Sequence, residues 1–69
     1  MVDLRTILAN NLRQIRKNKG LSQEDLAGLA EIDRTYVSLI ERKQNSITID
    51  KLEKIAAALS VEPYTLLKP

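Results

Sequence analysis

The 69-residue sequence contains no cysteine, no histidine, no phenylalanine and no tryptophan, and its aromatic side chains are two tyrosines. Without cysteine or histidine, disulfide staples and the usual zinc sites are excluded as supports. So few aromatics exclude a stacking platform for single-stranded nucleic acid and an aromatic cage. No apolar run approaches the roughly 20 residues that span a bilayer. The start, MVDLRTILANNLRQIRKNKG, mixes charges through its apolar positions and does not read as a secretory signal. A soluble cytoplasmic chain is the expectation. Enzymatic machinery is missing too: there is no glycine-rich phosphate loop, no nucleophile–base pairing and no carboxylate pair with an evident cleft. The acids gather at helix starts, where capping accounts for them. No cofactor, metal or small-molecule ligand is implied.

What is present is an ordinary apolar fraction, 43%, in a chain near the lower size limit for a core without staples. Stability must therefore come from helix packing or from a partner subunit. The net charge of +2 says little, but its distribution is uneven. Residues 1–19 carry Arg5, Arg13, Arg16, Lys17 and Lys19 against Asp3 alone. Residues 20–33 carry Glu24, Asp25, Glu31 and Asp33 and no base, and residues 34–48 turn basic again through Arg34, Arg42 and Lys43 against Glu41. Two separated basic segments converging on one face would meet a polyanion; dispersed, they are a solvated surface of mixed sign.

Apolar spacing predicts an all-α domain over residues 1–69. Leu4, Leu8, Leu12 and Ile15 form one helical stripe, closed by Gly20 behind Lys17 and Lys19. Ser22, with Asp25 three residues on, is a capping box for a second helix to about Ala30. Asp33 caps a third, Arg34 to about Glu41. Thr48 caps a fourth, with Leu52, Ile55, Ala56 and Leu59 inward, and Pro63 opens a short fifth, PYTLL. No segment alternates as a strand would, so the expected architecture is a compact five-helix domain.

The tightest constraint lies between residues 22 and 42. Two short helices joined by so few residues form a helix-turn-helix. Their axes must approach closely, which requires a small side chain at Ala27. Leu26, Ala30, Ile32, Val37 and Ile40 then face inward, and Arg34, Thr35 and Ser38 are left outside on the third helix. Tyr64 and Leu67 at the end of the chain face outward as well, with Ile47 or Ile49 nearby. Such a patch is either ordinary partial exposure or the seam of a two-fold dimer.

The stretches GLSQEDLAGLAEIDRTYVSLIER and LEKIAAALSV resemble the lambda-repressor-like (Xre-type) helix-turn-helix family, over about Leu8 to Leu67. DRTYVSLIER and ITIDKLEKIAAAL are most similar to the small controller proteins of restriction–modification systems. The resemblance implies a sequence-specific transcriptional regulator that binds double-stranded DNA as a homodimer on a pseudo-palindromic operator. RNA polymerase or another protein is a further candidate partner. It places Arg34, Thr35 and Ser38 in the major groove and Gln23 against the backbone or a base edge. It sets Tyr36, Arg42, Lys43 and Asn45 along the phosphates, Ile47, Tyr64 and Leu67 at the dimer seam, and Arg16 with Glu41 in a salt bridge. The chain departs from the family pattern where glycine is common: Glu31 stands in the turn and Lys43 after IER. A left-handed backbone at either would cost about 1–2 kcal/mol. The alternative reading is a protein-interaction module, an antitoxin or adaptor, built on the same fold.

Overall fold

The computed structural model describes residues 3–69. Four α-helices, α1 (Leu4–Asn18), α2 (Gln23–Ala30), α3 (Arg34–Glu41) and α4 (Ile49–Leu59), are followed by a 3-10 turn, Pro63–Leu67. The expected fifth helix is thus corrected to a turn. Its bond from Thr65 N–H to the Glu62 carbonyl, 2.9 Å, spans three residues, the tighter winding that short helical pieces adopt.

Each helix begins on a side-chain acceptor. Asp3 accepts from the Arg5 N–H and Asp33 from the Thr35 N–H, while Thr48 accepts from the Lys51 N–H. At α2 the Ser22 hydroxyl accepts from the Asp25 N–H, and the Asp25 carboxylate accepts from the Ser22 N–H in return. Each of these caps is worth roughly 1 kcal/mol. The helix ends are equally uniform. In all four, the residue after the cap, or the cap itself, turns left-handed and the next N–H reaches back to a carbonyl of the last turn, as in Leu21 to Arg16, Ile32 to Ala27, Gln44 to Leu39 and Val61 to Ala56. Gly20 makes this turn freely at φ 72°, whereas Glu31, Lys43 and Ser60 make it with side chains at φ 58°, 63° and 58°. The two positions where the family commonly has glycine therefore keep the left-handed backbone without it.

The core is assembled from the predicted stripes: Leu8 and Leu12 of α1, Leu26 of α2, Val37 and Ile40 of α3, Ile55 and Leu59 of α4, closed by Leu66. α2 packs on both α3 and α4, while α1 packs on α3 and on the closing turn. Ala27 is buried in the core on α2, where a longer side chain would force the packed helices apart. The closing turn is tied to α1 by Asn11, whose amide nitrogen lies 3.4, 3.0 and 2.8 Å from the Thr65, Leu66 and Lys68 carbonyls. No helix among the described residues is long and apolar enough to cross a membrane.

Candidate nucleic-acid interface

The amphipathicity of α3 decides what it displays. Val37, Ile40 and the Glu41 side chain are buried, which turns Arg34 and Thr35 fully outward and leaves Ser38 half-buried beside them. Arg34 has no ion-pair partner among the described residues, even though acids lie close in sequence. Its neighbour Asp33 is engaged instead with the Thr35 N–H at 2.7 Å, and that bond holds its carboxyl below the ordinary aspartate range. Two exposed side chains and one half-buried hydroxyl, all with hydrogen-bonding capacity, thus share one face of a helix whose other face is locked into the core.

What locks it is polar. The Glu41 carboxylate, at the end of α3, accepts from Arg16 Nε at 2.7 Å and Arg16 Nη2 at 3.0 Å, a bidentate pair. Arg16 Nη1 donates to the Leu21 carbonyl at 2.8 Å, so this one guanidinium joins α1, the α1–α2 connection and α3. Burial alone would raise the Glu41 carboxyl, but the Arg16 guanidinium, the Gln23 amide and Arg13 outweigh it and hold the group below the usual glutamate range. No buried side-chain nitrogen or oxygen among the described residues lacks a partner.

Gln23 is half-buried, and its amide nitrogen donates to Glu41 Oε1 at 3.2 Å. The expected base reader is therefore already committed, through one of its ends, to the ion pair. Arg13, to which the sequence assigns no role of its own, lies with its Nε 3.5 Å from the same oxygen. The available signal was its spacing of three from Arg16, which sets both on one side of α1.

The loop after α3 is organised around Ser46. Tyr36 donates its hydroxyl to the Ser46 carbonyl at 3.2 Å, and Arg5 Nη2 donates to the Ser46 hydroxyl at 2.8 Å. The Lys51 ammonium sits over the Tyr36 ring, 5.8 Å from its centre. Asn45 accepts from the Ser46 N–H, and Arg42 Nε reaches the Ser38 carbonyl at 3.4 Å. Arg42 and Lys43 are exposed beside this loop, directly behind the polar face of α3.

The residues expected at a dimer seam divide. Tyr64 is exposed, whereas Ile47 and Leu67 lean partly against the core. Ile47 and Leu67 line an apolar groove of about 270 Å³ whose walls also include Leu4, Leu8, Ile49 and Leu52. Ile49 is 76% exposed and Leu4 56%, large values for side chains of this kind. Sequence periodicity places Leu4 on the apolar stripe of α1; the structure sets it on the rim of this groove, across from residues of the α3–α4 loop.

A family model described as helix-turn-helix matches residues 12–66. The chain is 55% identical over 67 residues to a hypothetical transcription factor of Neisseria meningitidis serogroup B, covering 97% of this chain and 63% of that protein. The crystal structure of that factor superimposes with a TM-score of 0.94, over 97% of this chain and 77% of that one. The control protein C.BamHI of Bacillus amyloliquefaciens is 42% identical over 66 residues, 94% of this chain and 82% of its own. The controller protein C.Esp1396I, solved bound to a 25 base pair operator site, is 38% identical with a TM-score of 0.84, over 96% of this chain and 87% of that one. The chain therefore belongs to the lambda-repressor-like, Xre-type helix-turn-helix family.

Proposed function

We propose that this chain is a sequence-specific regulator of transcription that binds double-stranded DNA as a homodimer. The observation that carries the reading is the outward row of Arg34, Thr35 and Ser38 on α3, with Arg34 in no ion pair among the described residues and the helix fixed from beneath by buried Glu41. An arginine fork in that position suits guanine O6 and N7, and a threonine methyl suits thymine. Arg42, Lys43, Asn45 and Tyr36 lie where phosphates would flank α3 in the groove, giving affinity and orientation without reading sequence. Gln23 serves this face from the start of α2. The operator complex of C.Esp1396I supports the mode of binding, and the description of that protein as a restriction–modification controller supports a role of the same kind here.

A single module this small would hold DNA weakly, and pairing two modules raises affinity by making the second contact intramolecular. The groove lined by Ile47, Ile49 and Leu67, with Tyr64 exposed at the end of the fold, supplies the seam. Two copies joined there would offer their α3 helices to major grooves about 34 Å apart.

The test is selection of bound sequences from random duplex DNA by the purified protein at near-physiological salt. An enriched palindrome is the expected result. No enrichment by a well-folded protein would remove the regulator reading. It would favour a protein-interaction module, for which Leu29, 60% exposed beside Glu24 and Asp25, is the observation in hand.

A further inference from the structure

We infer that Arg13 binds a backbone phosphate of the duplex, and that the buried Glu41 carboxylate holds it in position to do so. The inference rests on the DNA-binding reading above and extends it to α1.

The two arginines that share Glu41 are used differently. All three guanidinium nitrogens of Arg16 are engaged, with Glu41 and the Leu21 carbonyl, and only 9% of its side chain is exposed. Arg13 comes nearest to the carboxylate through Nε, at 3.5 Å, with 53% of its side chain exposed. No hydrogen bond from its two terminal nitrogens is present among the described residues, and more than half of the side chain is open to solvent. Two guanidinium groups face one carboxylate here. The positive charge left over belongs to the exposed member.

A guanidinium held at Nε with a free fork of terminal donors is suited to two oxygens of one phosphodiester. The tether also lowers the cost of ordering a long side chain on binding. Its location fits the role. Glu41 Oε1 takes the Gln23 amide as well, so Arg13 is anchored at the start of α2, and Glu41 is the last residue of α3. Of the two acids in the first turn of α2, Glu24 is exposed and Asp25 is folded back onto the Ser22 N–H. One carboxylate thus fixes the separation between a phosphate contact on α1 and the base-reading face of α3. Contacts of this kind set the register of a protein on its site.

The experiment is the salt dependence of binding to a mixed-sequence duplex, for the wild type, Arg13→Ala and Arg13→Lys, with thermal unfolding of each. Mixed-sequence DNA isolates the phosphate contribution from base reading. Losing one phosphate contact should make the slope of log affinity against log salt shallower by about 0.9. That shift, with an unchanged melting temperature, is expected for Arg13→Ala. Arg13→Lys should keep the slope and bind more weakly at each salt, because it keeps the charge and loses the fork. An unchanged slope for Arg13→Ala, with wild-type binding intact, overturns the assignment of Arg13 alone. A slope change matched by a fall in melting temperature overturns it too, since Arg13 would then act through the fold. No duplex binding by the wild type at any salt overturns the underlying DNA-binding reading, and this inference with it.

Discussion

The face of α3 that carries Arg34, Thr35 and Ser38 rests on a buried ion pair, whereas the groove between Leu4, Ile49 and Leu67 rests on apolar contacts and on the amide of Asn11. The first support is directional. Arg16 and Glu41 meet through two short bonds that permit one rotation of α3 relative to α1, so the outward side chains have one bearing. The second support is permissive: leucines and isoleucines can shift by tenths of an ångström without losing much. A surface that reads hydrogen-bonding patterns needs the first kind of support, and a surface that is to be buried against another apolar surface tolerates the second.

Removing the directional support should give the largest effect. Glu41→Ala leaves the Arg16 charge buried and unpaired, which costs about 3–5 kcal/mol. Total stability for a chain of this size is roughly 3–10 kcal/mol, so urea denaturation should show a largely unfolded or barely folded variant. Replacing both partners, Arg16→Met with Glu41→Leu, should recover most of that loss, since an apolar pair of similar volume avoids the unpaired charge. Acid probes the same bond. A carboxyl lowered in the folded chain and ordinary when unfolded, about 4.3, contributes stability that is complete above that value. It is lost as pH falls through the lowered native value. The urea midpoint of the wild type should therefore fall more steeply on acidification than that of the double replacement. Equal pH profiles would show that the ion pair contributes nothing of its own.

Next in size are the two surfaces themselves. Arg34→Ala should cost about 1–3 kcal/mol in operator affinity and relax preference at one base pair, while dimerisation stays as it was. Tyr64→Asp should do the reverse. A charge set into the proposed seam should weaken self-association by about 1–3 kcal/mol or more, seen as a shift toward monomer in sedimentation, with base preference preserved at high protein concentration. If either substitution altered both readouts equally, the two faces would not be separate surfaces.

Asn11 tests how far the permissive side depends on its polar clamp. Asn11→Ala leaves the Thr65, Leu66 and Lys68 carbonyls to water and should lower stability by about 1 kcal/mol. Because the clamp holds the turn that carries Leu67, self-association should weaken alongside. A stability loss without any change in association would separate the clamp from the seam.

Much of this organisation was legible in the chain. The helices could be placed because Ser22, Asp33 and Thr48 each cap the helix that follows, and because the apolar stripes have helical spacing. The polar remainder of α3 could be read for the same reason. What could not be read depends on segments distant in sequence. The groove needs Leu4, Ile47 and Leu67 together, and no periodicity within one helix reports that meeting. The commitment of Gln23 to Glu41 joins the start of α2 to the end of α3, eighteen positions away. The last element was misjudged because Pro63 marks a helix start without specifying how tightly the next turn winds. Ser60 gave no hint of its left-handed backbone, since serine is ordinary in extended and helical conformations as well.

The smallest expected effect comes from Lys43, where fold and proposed function pull in opposite directions. Its left-handed backbone, φ 63°, costs about 1–2 kcal/mol for a side-chain-bearing residue. Glycine relieves that strain but loses about 0.4–1 kcal/mol to its freer unfolded state. Lys43→Gly should therefore raise stability by between zero and about 1.6 kcal/mol while removing a proposed phosphate contact, making the salt slope of DNA binding shallower by about one unit. Lys43→Ala separates the terms, because it loses the charge and keeps the strained backbone. It should bind DNA as weakly as the glycine variant without the gain in stability. Should Lys43→Gly bind as tightly as the wild type with an unchanged slope, the side chain would have no part in the interface.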